Sequence, residues 1–398
     1  KNKKSVFKKY LSTFKIRPVL TAHPTQFYPG SVLGIITDLT EAVKKNDLAE
    51  IKVLLSQLGK TPFFKNKKPT PYDEAVSLTW YLENVFYKSI SNIYKYIKTN
   101  VFDGQNFDND IINLGFWPGG DRDGNPYVTT KITLKTANKL RSDIIKNYYR
   151  DIRSLRRRLT FKNIESKVID IENRLYRSIF NENKSPKISL NELKGCLDEI
   201  KSILISEHNS LFLDELQDII DKVKIFGYHF ASLDIRQDSR IHSSAFSSIL
   251  KISKQKLNKL FPDNYLDLNE SKKIKTLSRI KGDISPDLFE DDLTKSTLSS
   301  IRAMKEIQGE NGEKACNRYI ISNNQSALNI LEVFTMFRLS DWDNPTVDIV
   351  PLFETVSDLK VASKVMDLVY SNPVYKKHLE QRKNQQTIML GFSDGTKD

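Results

Sequence analysis

The sequence predicts a predominantly helical α/β chain whose strands make an incomplete (β/α)8 barrel of the TIM type, about six strands of eight. Three observations carry that expectation. Six short apolar runs are spread along the chain, each ending in a burst of polar residues; long helical patterns separate them; and no internal repeat or low-complexity linker divides the chain. Runs that short and that apolar read as strands buried on both faces, which is the signature of a parallel sheet with helices as crossovers. An open doubly wound sheet is the structural alternative.

The runs, in order, are "PVLTAHPT" (18–25), "IINLGFWPGGDRDGNP" (111–126), "YHFASLDIRQDS" (228–239), "RYIISNN" (318–324), "VDIVPLFET" (347–355) and "TIMLGFSDGTKD" (387–398). Between them, "TPYDEAVSLTWYLENVFYKSISNIYKYI" starts a helix with Thr70 as N-cap, Pro71 at the first helical position and Asp73 three residues after the cap. "TANKLRSDIIKNYYRDIRSLRRRL" repeats the pattern, with Ala137, Leu140, Ile144, Tyr148, Ile152, Leu155 and Leu159 at helical spacing. Further helices are expected at about 34–58, 188–207, 293–308, 325–338 and 357–383, and the polar stretch 254–290 reads as the loosest part. The whole chain, 1–398, is then one barrel domain with helical insertions at about 34–110, 130–224 and 240–314.

Composition limits the function classes. Hydrophobic residues make up 39% of the chain, enough to build a core. No apolar run reaches the roughly 18 residues of a membrane span, and "KNKKSVFKKY" has no signal-peptide core, so no membrane association is expected. The missing initiator Met suggests a fragment or a processed chain. Cys196 and Cys316 are lone thiols without a CxxC, as a reducing cytoplasm would have them. The net charge of +13 raises a nucleic-acid reading, but 49 acidic residues are mixed among the 62 basic ones. The densest cluster (Arg153, Arg156, Arg157, Arg158) lies on an expected helix without aromatics interleaved for base stacking, and reads as a solvated face. No nucleic-acid partner is expected.

Function in parallel α/β folds collects where strands end. His23 precedes Pro24, which forces an extended conformation and puts the histidine at a strand end, in a structural or a catalytic role. Four of the 15 glycines (Gly115, Gly119, Gly120, Gly124) fall within ten positions around Trp117, Asp121, Arg122 and Asp123. An EF-hand reading of this loop fails, because Pro126 stands at the glycine position and Ile132 at the glutamate position. The glycines instead allow a tight turn, either an anion-binding backbone or a rigid turn with internal Asp–Arg pairing. In "LDIRQDS", Asp234 and Arg236 share one side of a strand, and the guanidinium can grip a phosphate, a carboxylate or a neighbouring acid. Glu354 and Asp394 cap two apolar runs. With few histidines and no useful cysteine, such acids suit Mg²⁺ or Mn²⁺, with Lys397 near enough in sequence to neutralise an adjacent anion.

Together these segments resemble the phosphoenolpyruvate carboxylases. TAHPT stands at 21–25, W-x-GGDRDGNP at 117–126, LDIRQ at 233–237, VPLFET at 350–355 and G-[YF]-SD-x-x-KD at 391–398, in the family's order and over nearly the full length. Gln26 and Pro118 depart from the family's common residues without touching an assigned position. The resemblance implies conversion of phosphoenolpyruvate and bicarbonate to oxaloacetate and phosphate through carboxyphosphate and a metal-bound enolate, in a cytoplasmic enzyme that is a homo-oligomer (a homotetramer in the full-length family). It implies Glu354 and Asp394 as ligands of Mg²⁺, and Arg236, His23 and Lys397 as catalytic residues. Trp117, Arg122, Arg236 and Lys397 are then the substrate-binding set. Family members are longer at both ends, so these 398 residues alone are expected to be inactive. The rival readings are another phosphoenolpyruvate-using barrel enzyme and, from a different class, a basic nucleic-acid-binding module.

Overall fold

The computed structural model describes residues 2–21, 30–63, 69–105, 107, 111–180, 188–256 and 260–391. Helices dominate, and every expected run contains a strand: β1 (Val19–Leu20), β2 (Gly115–Phe116), β3 (Ser232–Leu233), β4 (Ile235–Asp238), β5 (Arg318–Ser322), β6 (Asp348–Phe353) and β7 (Met389–Leu390). All pairings are parallel and follow chain order, β1-β2-β3 in one sheet and β4-β5-β6-β7 in the other. Only Asp234 separates β3 from β4. A parallel bridge from Asp121 to Arg236 extends the β2 neighbourhood onto β4, so the two sheets run on from one another.

Both faces of the central strands are buried. Leu233, Ile235, Ile321, Ile349 and Phe353 belong to the main core shared with the helices. The alternate residues Ile320, Val350 and Leu352 form a second cluster with Trp117 and Met389. Arg236 is in register with Ile320, and Ile320 with Val350, so the guanidinium belongs to this second face. The alternation of side chains along a strand sets the division.

The helical layer follows the sequence with local corrections. Thr70 and Asp73 form the expected capping box on Pro71–Tyr81, and a π-helical stretch at Leu82–Phe86 leads into Tyr87–Asn100. The single helix expected at 34–58 is two, Gly30–Lys44 and Leu48–Lys60. Asn46 takes a left-handed φ of 55° between them, and Asp47 caps the second by accepting from the Glu50 amide. The helix expected at 357–383 divides likewise into Val356–Tyr370 and Pro373–Gln381, because Asn372 caps the Val374 and Tyr375 amides ahead of Pro373. Glu165–Phe180, Leu213–Phe226 and Ser239–Lys256 are helices outside the expected set. The stretch expected to be loose holds the helix Glu270–Leu277, and it anchors Phe261 and Tyr265 in the core. Helix Leu190–Glu207 carries a capping box between Ser189 and Glu192. Ser189→Ala removes one half of it and is expected to cost about 1 kcal/mol of stability, checked by denaturant titration.

The basic cluster is exposed, as a solvated face would be, and three of its arginines have partners in this layer. Arg156 bonds Glu172 at 2.9 Å, Arg158 lies 5.4 Å from the Phe212 ring centroid and Arg153 lies 6.0 Å from that of Tyr149. Among the described residues, no helix is long and apolar enough to cross a membrane.

Candidate active site

The glycine-rich loop leaves β2 and lies along the strand that carries Arg236. The Arg122 amide donates to the Arg236 carbonyl at 2.9 Å, and the Arg236 amide donates to the Gly120 carbonyl at 3.2 Å. Side chains are excluded from this approach. A Cβ on Gly120 would overlap the Asp234 carbonyl oxygen, and Gly119, at φ 80°, sits against the Thr136 hydroxyl. The Thr133 hydroxyl ties the loop down by donating to the Gly119 carbonyl at 2.7 Å. The glycines thus dock one backbone against another. No ligand contact is needed to explain them.

That docking fixes a set of charged side chains. Arg236 donates from Nε and Nη2 to the two carboxylate oxygens of Asp121, both at 2.8 Å, and Asp123 stands 3.9 Å from Nη2. Nη1 has no partner among the described residues. The guanidinium lies over Trp117, 4.7 Å from its ring centroid. Trp117 in turn donates from Nε1 to Asp234 at 3.2 Å, and Arg17 closes the chain by binding the other oxygen of Asp234. Asp234 and Arg236 therefore meet the same indole from one side of their strand, as their spacing predicted. Burial lowers the Arg236 pKa. The hydrogen bonds to Asp121, and the charges of Asp121, Asp123 and Glu354, outweigh it and hold the pKa above the ordinary arginine range.

Arg122 turns the other way. Its guanidinium donates to the carbonyl and hydroxyl oxygens of Ser296 on the helix Asp292–Asn311, and burial lowers its pKa. The structure therefore does not bring Arg122 to the cluster: it holds the loop against a helix. Of the two readings left open for the turn, the Asp–Arg pairing does occur, but between the loop and the neighbouring strand and not within the turn. The sequence reading missed the part played by Arg17, whose signal was only an isolated arginine before the first apolar run.

Glu354 follows β6 at the same end of the sheet, and its charge reaches Arg236. The Gly391 amide donates to the Phe353 carbonyl at 2.8 Å, and a Cβ on Gly391 would lie 2.7 Å from the Glu354 Cα. Gly391 thus lies directly beside Glu354. His23, Asp394 and Lys397 lie outside the described residues. Among the described residues no group of three His, Cys, Asp or Glu side chains forms a metal cage. Glu354 is a carboxylate at a strand end, a donor type that suits a hard divalent cation.

The strand ends of this parallel α/β chain thus bring together a braced arginine and several carboxylates. The phosphoenolpyruvate carboxylase family model matches residues 1–189 and 172–398. The chain is 28% identical to a phosphoenolpyruvate carboxylase of Nitrosomonas europaea over 98% of its own length, and 27% identical to one of Nitrosomonas eutropha over 96%. It covers 48% of each, so it spans about half the length of these curated relatives. This chain belongs to the phosphoenolpyruvate carboxylase family.

Proposed function

We propose that the protein to which this chain belongs carboxylates phosphoenolpyruvate with bicarbonate to give oxaloacetate and phosphate. We further propose that the parallel array, six strands when β3 and β4 are taken as one interrupted at Asp234, is most of a (β/α)8 barrel forming one domain with helical insertions. Parallel strands that neighbour one another in unbroken chain order support the barrel, since a doubly wound sheet reverses direction at a switch point. The second apolar face, with Ile320, Val350 and Leu352, is the barrel interior on this reading.

The observation that carries the function is the bracing of Arg236. With Nε and Nη2 held by Asp121 and its face on Trp117, the guanidinium presents Nη1 in one fixed direction, which suits a phosphoryl oxygen. A bicarbonate oxygen attacks phosphorus, and the bond to the enol oxygen breaks. Carboxyphosphate and the enolate of pyruvate result. Carboxyphosphate then divides into CO₂ and phosphate, and the enolate C3 bonds the CO₂ carbon. Arg236 balances the phosphoryl charge throughout. Trp117 and Lys397 wall the bicarbonate side, and His23 stabilises carboxyphosphate and handles its proton. Glu354 and Asp394 would hold Mg²⁺ or Mn²⁺, which when bound supplies electrostatic stabilisation of developing negative charge on oxygen. The apolar cluster beside Trp117 keeps water from protonating the enolate. The same reading makes the protein a cytoplasmic homo-oligomer and the 398 residues alone inactive.

The test is an assay of the full-length protein that counts phosphate and oxaloacetate separately, the latter through malate dehydrogenase. Equal amounts of both are expected, dependent on phosphoenolpyruvate and bicarbonate. His23→Asn is expected to lower oxaloacetate formation more than phosphate release, since it acts after the phosphorus–enol oxygen bond has broken. Equal loss of both products makes His23 structural; phosphate without oxaloacetate in the unaltered protein refutes the carboxylase reading.

A further inference from the structure

A second arginine at this end of the sheet is clamped in the manner of Arg236. Where β4 passes into the helix Ser239–Lys256, the Arg240 side chain folds back onto Asp238. Its Nε lies 3.0 and 3.1 Å from the two carboxylate oxygens, and its Nη2 donates to Oδ2 at 2.6 Å. Nη1 has no partner among the described residues. Asp238 is fixed in turn, since the Arg240 backbone amide donates to its Oδ1 at 2.7 Å. The two arginines differ in exposure: the Arg236 side chain is 21% accessible and that of Arg240 is 79%.

Both guanidiniums feel the same acids. The hydrogen bonds and charge of Asp238, followed by the charges of Asp123 and Glu354, raise the Arg240 pKa, and Asp123 and Glu354 act on Arg236 as well. Arg122 has turned away to Ser296. Among the described residues the strand end therefore sets Asp121, Asp123, Asp238 and Glu354 against Arg236 and Arg240. An approaching anion meets more negative than positive charge, and the exposed cation of this group is Arg240. Polar atoms without partners lie at the same end. Ser322 is in register with Asp238 and follows Ile320 by one alternation, which puts it on the face of Arg236; its buried hydroxyl is unpartnered. So are both side-chain amide atoms of the buried Asn324.

We propose that Arg240 is the entry residue of this site: its guanidinium draws the phosphoryl group of phosphoenolpyruvate to the rim, from which it moves on to Arg236. The inference rests on the reading that the site takes phosphoenolpyruvate. Arg240 serves arrival and not the reaction, because its guanidinium stays in solvent while that of Arg236 is held against Trp117. A charge at the rim of a site acts on the association rate and on its salt dependence.

The experiment is stopped-flow mixing of the full-length protein with phosphoenolpyruvate and Mg²⁺, without bicarbonate, followed by tryptophan fluorescence. Arg240→Gln is expected to slow association about fivefold at ~20 mM ionic strength and less than about twofold at ~0.5 M, where the charge is screened. Arg240→Lys is expected to keep most of the rate, and dissociation is expected to stay unchanged. Lys52→Gln, the same charge change on the helix Leu48–Lys60, is expected to leave association as it was. In the steady state, Arg240→Gln is expected to raise KM for phosphoenolpyruvate at low salt and to leave kcat alone. Equal association rates overturn the inference, as do an equal slowing in Lys52→Gln, a deficit that persists at high salt, or a fall in kcat. The rate comparison needs phosphoenolpyruvate to bind and not to react. Binding without oxaloacetate formation thus refutes the carboxylase reading alone, whereas an unaltered protein that binds no phosphoenolpyruvate refutes both.

Discussion

Arg236→Ala in the full-length protein is expected to lower kcat/KM for phosphoenolpyruvate by roughly 10²–10³, the usual effect of deleting one group aimed at developing charge. The fall is expected with the fold retained, because the side chain is a fifth exposed and its backbone bonds to Gly120 and Arg122 do not depend on it. Arg236→Lys separates charge from geometry. Lysine keeps the charge but cannot bond both oxygens of Asp121 and still present a third donor in a fixed direction. It is therefore expected to recover less than a tenth of the lost activity. Steady-state kinetics of both variants, with thermal melts as the control for folding, check this. Full activity in Arg236→Lys would show that a positive charge alone suffices.

Gly120→Ala has the second large expected effect, and it acts through the backbone. The added methyl falls on the Asp234 carbonyl oxygen, which belongs to a fixed strand junction and cannot swing aside as a side chain would. The loop must lift. Lifting breaks the pair of backbone hydrogen bonds to Arg236 and pulls Asp121 off the guanidinium. A loss of about 3 kcal/mol is expected from forced overpacking, together with loss of activity larger than the stability change explains. Gly124→Ala is the comparison. Nothing lies within 4 Å of a Cβ there, so only the strain of its φ of 65° is added. Denaturant titration beside the activity assay checks both variants. Equal behaviour of the two would mean that flexibility, and not the close approach, is what the glycines supply.

Much of the architecture was legible because burial on both faces leaves a strand no choice but an apolar run. "RYIISNN" and "VDIVPLFET" announced β5 and β6 in this way, and the polar residues after each run marked where the strand ends. Helix breaks were less legible. Nothing in the periodicity of 34–58 shows that Asn46 takes a left-handed φ, since apolar spacing continues across it. The region 254–290 looked loose because it is polar. Its order comes from two aromatics, Phe261 and Tyr265, buried against Phe246.

The site divides along the same line. By itself the sequence determined which residues are available: an arginine on a strand beside Asp234, acids at strand ends, glycines gathered in one loop, and motifs shared with one family. Periodicity even placed Asp234 and Arg236 on one side of a strand, since alternation is a local property of the backbone. Only the tertiary structure decided who faces whom. It sent Arg122 to Ser296 and gave Arg236 to Asp121, because a side chain's direction in an irregular loop is set by where the loop docks. It also gathered Arg17, Lys194, His229 and Arg318 around one cavity, although they are spread over three hundred residues. Sequence distance carries no information about such a meeting; parallel strands bring their beginnings together at one end of the sheet and their ends together at the other.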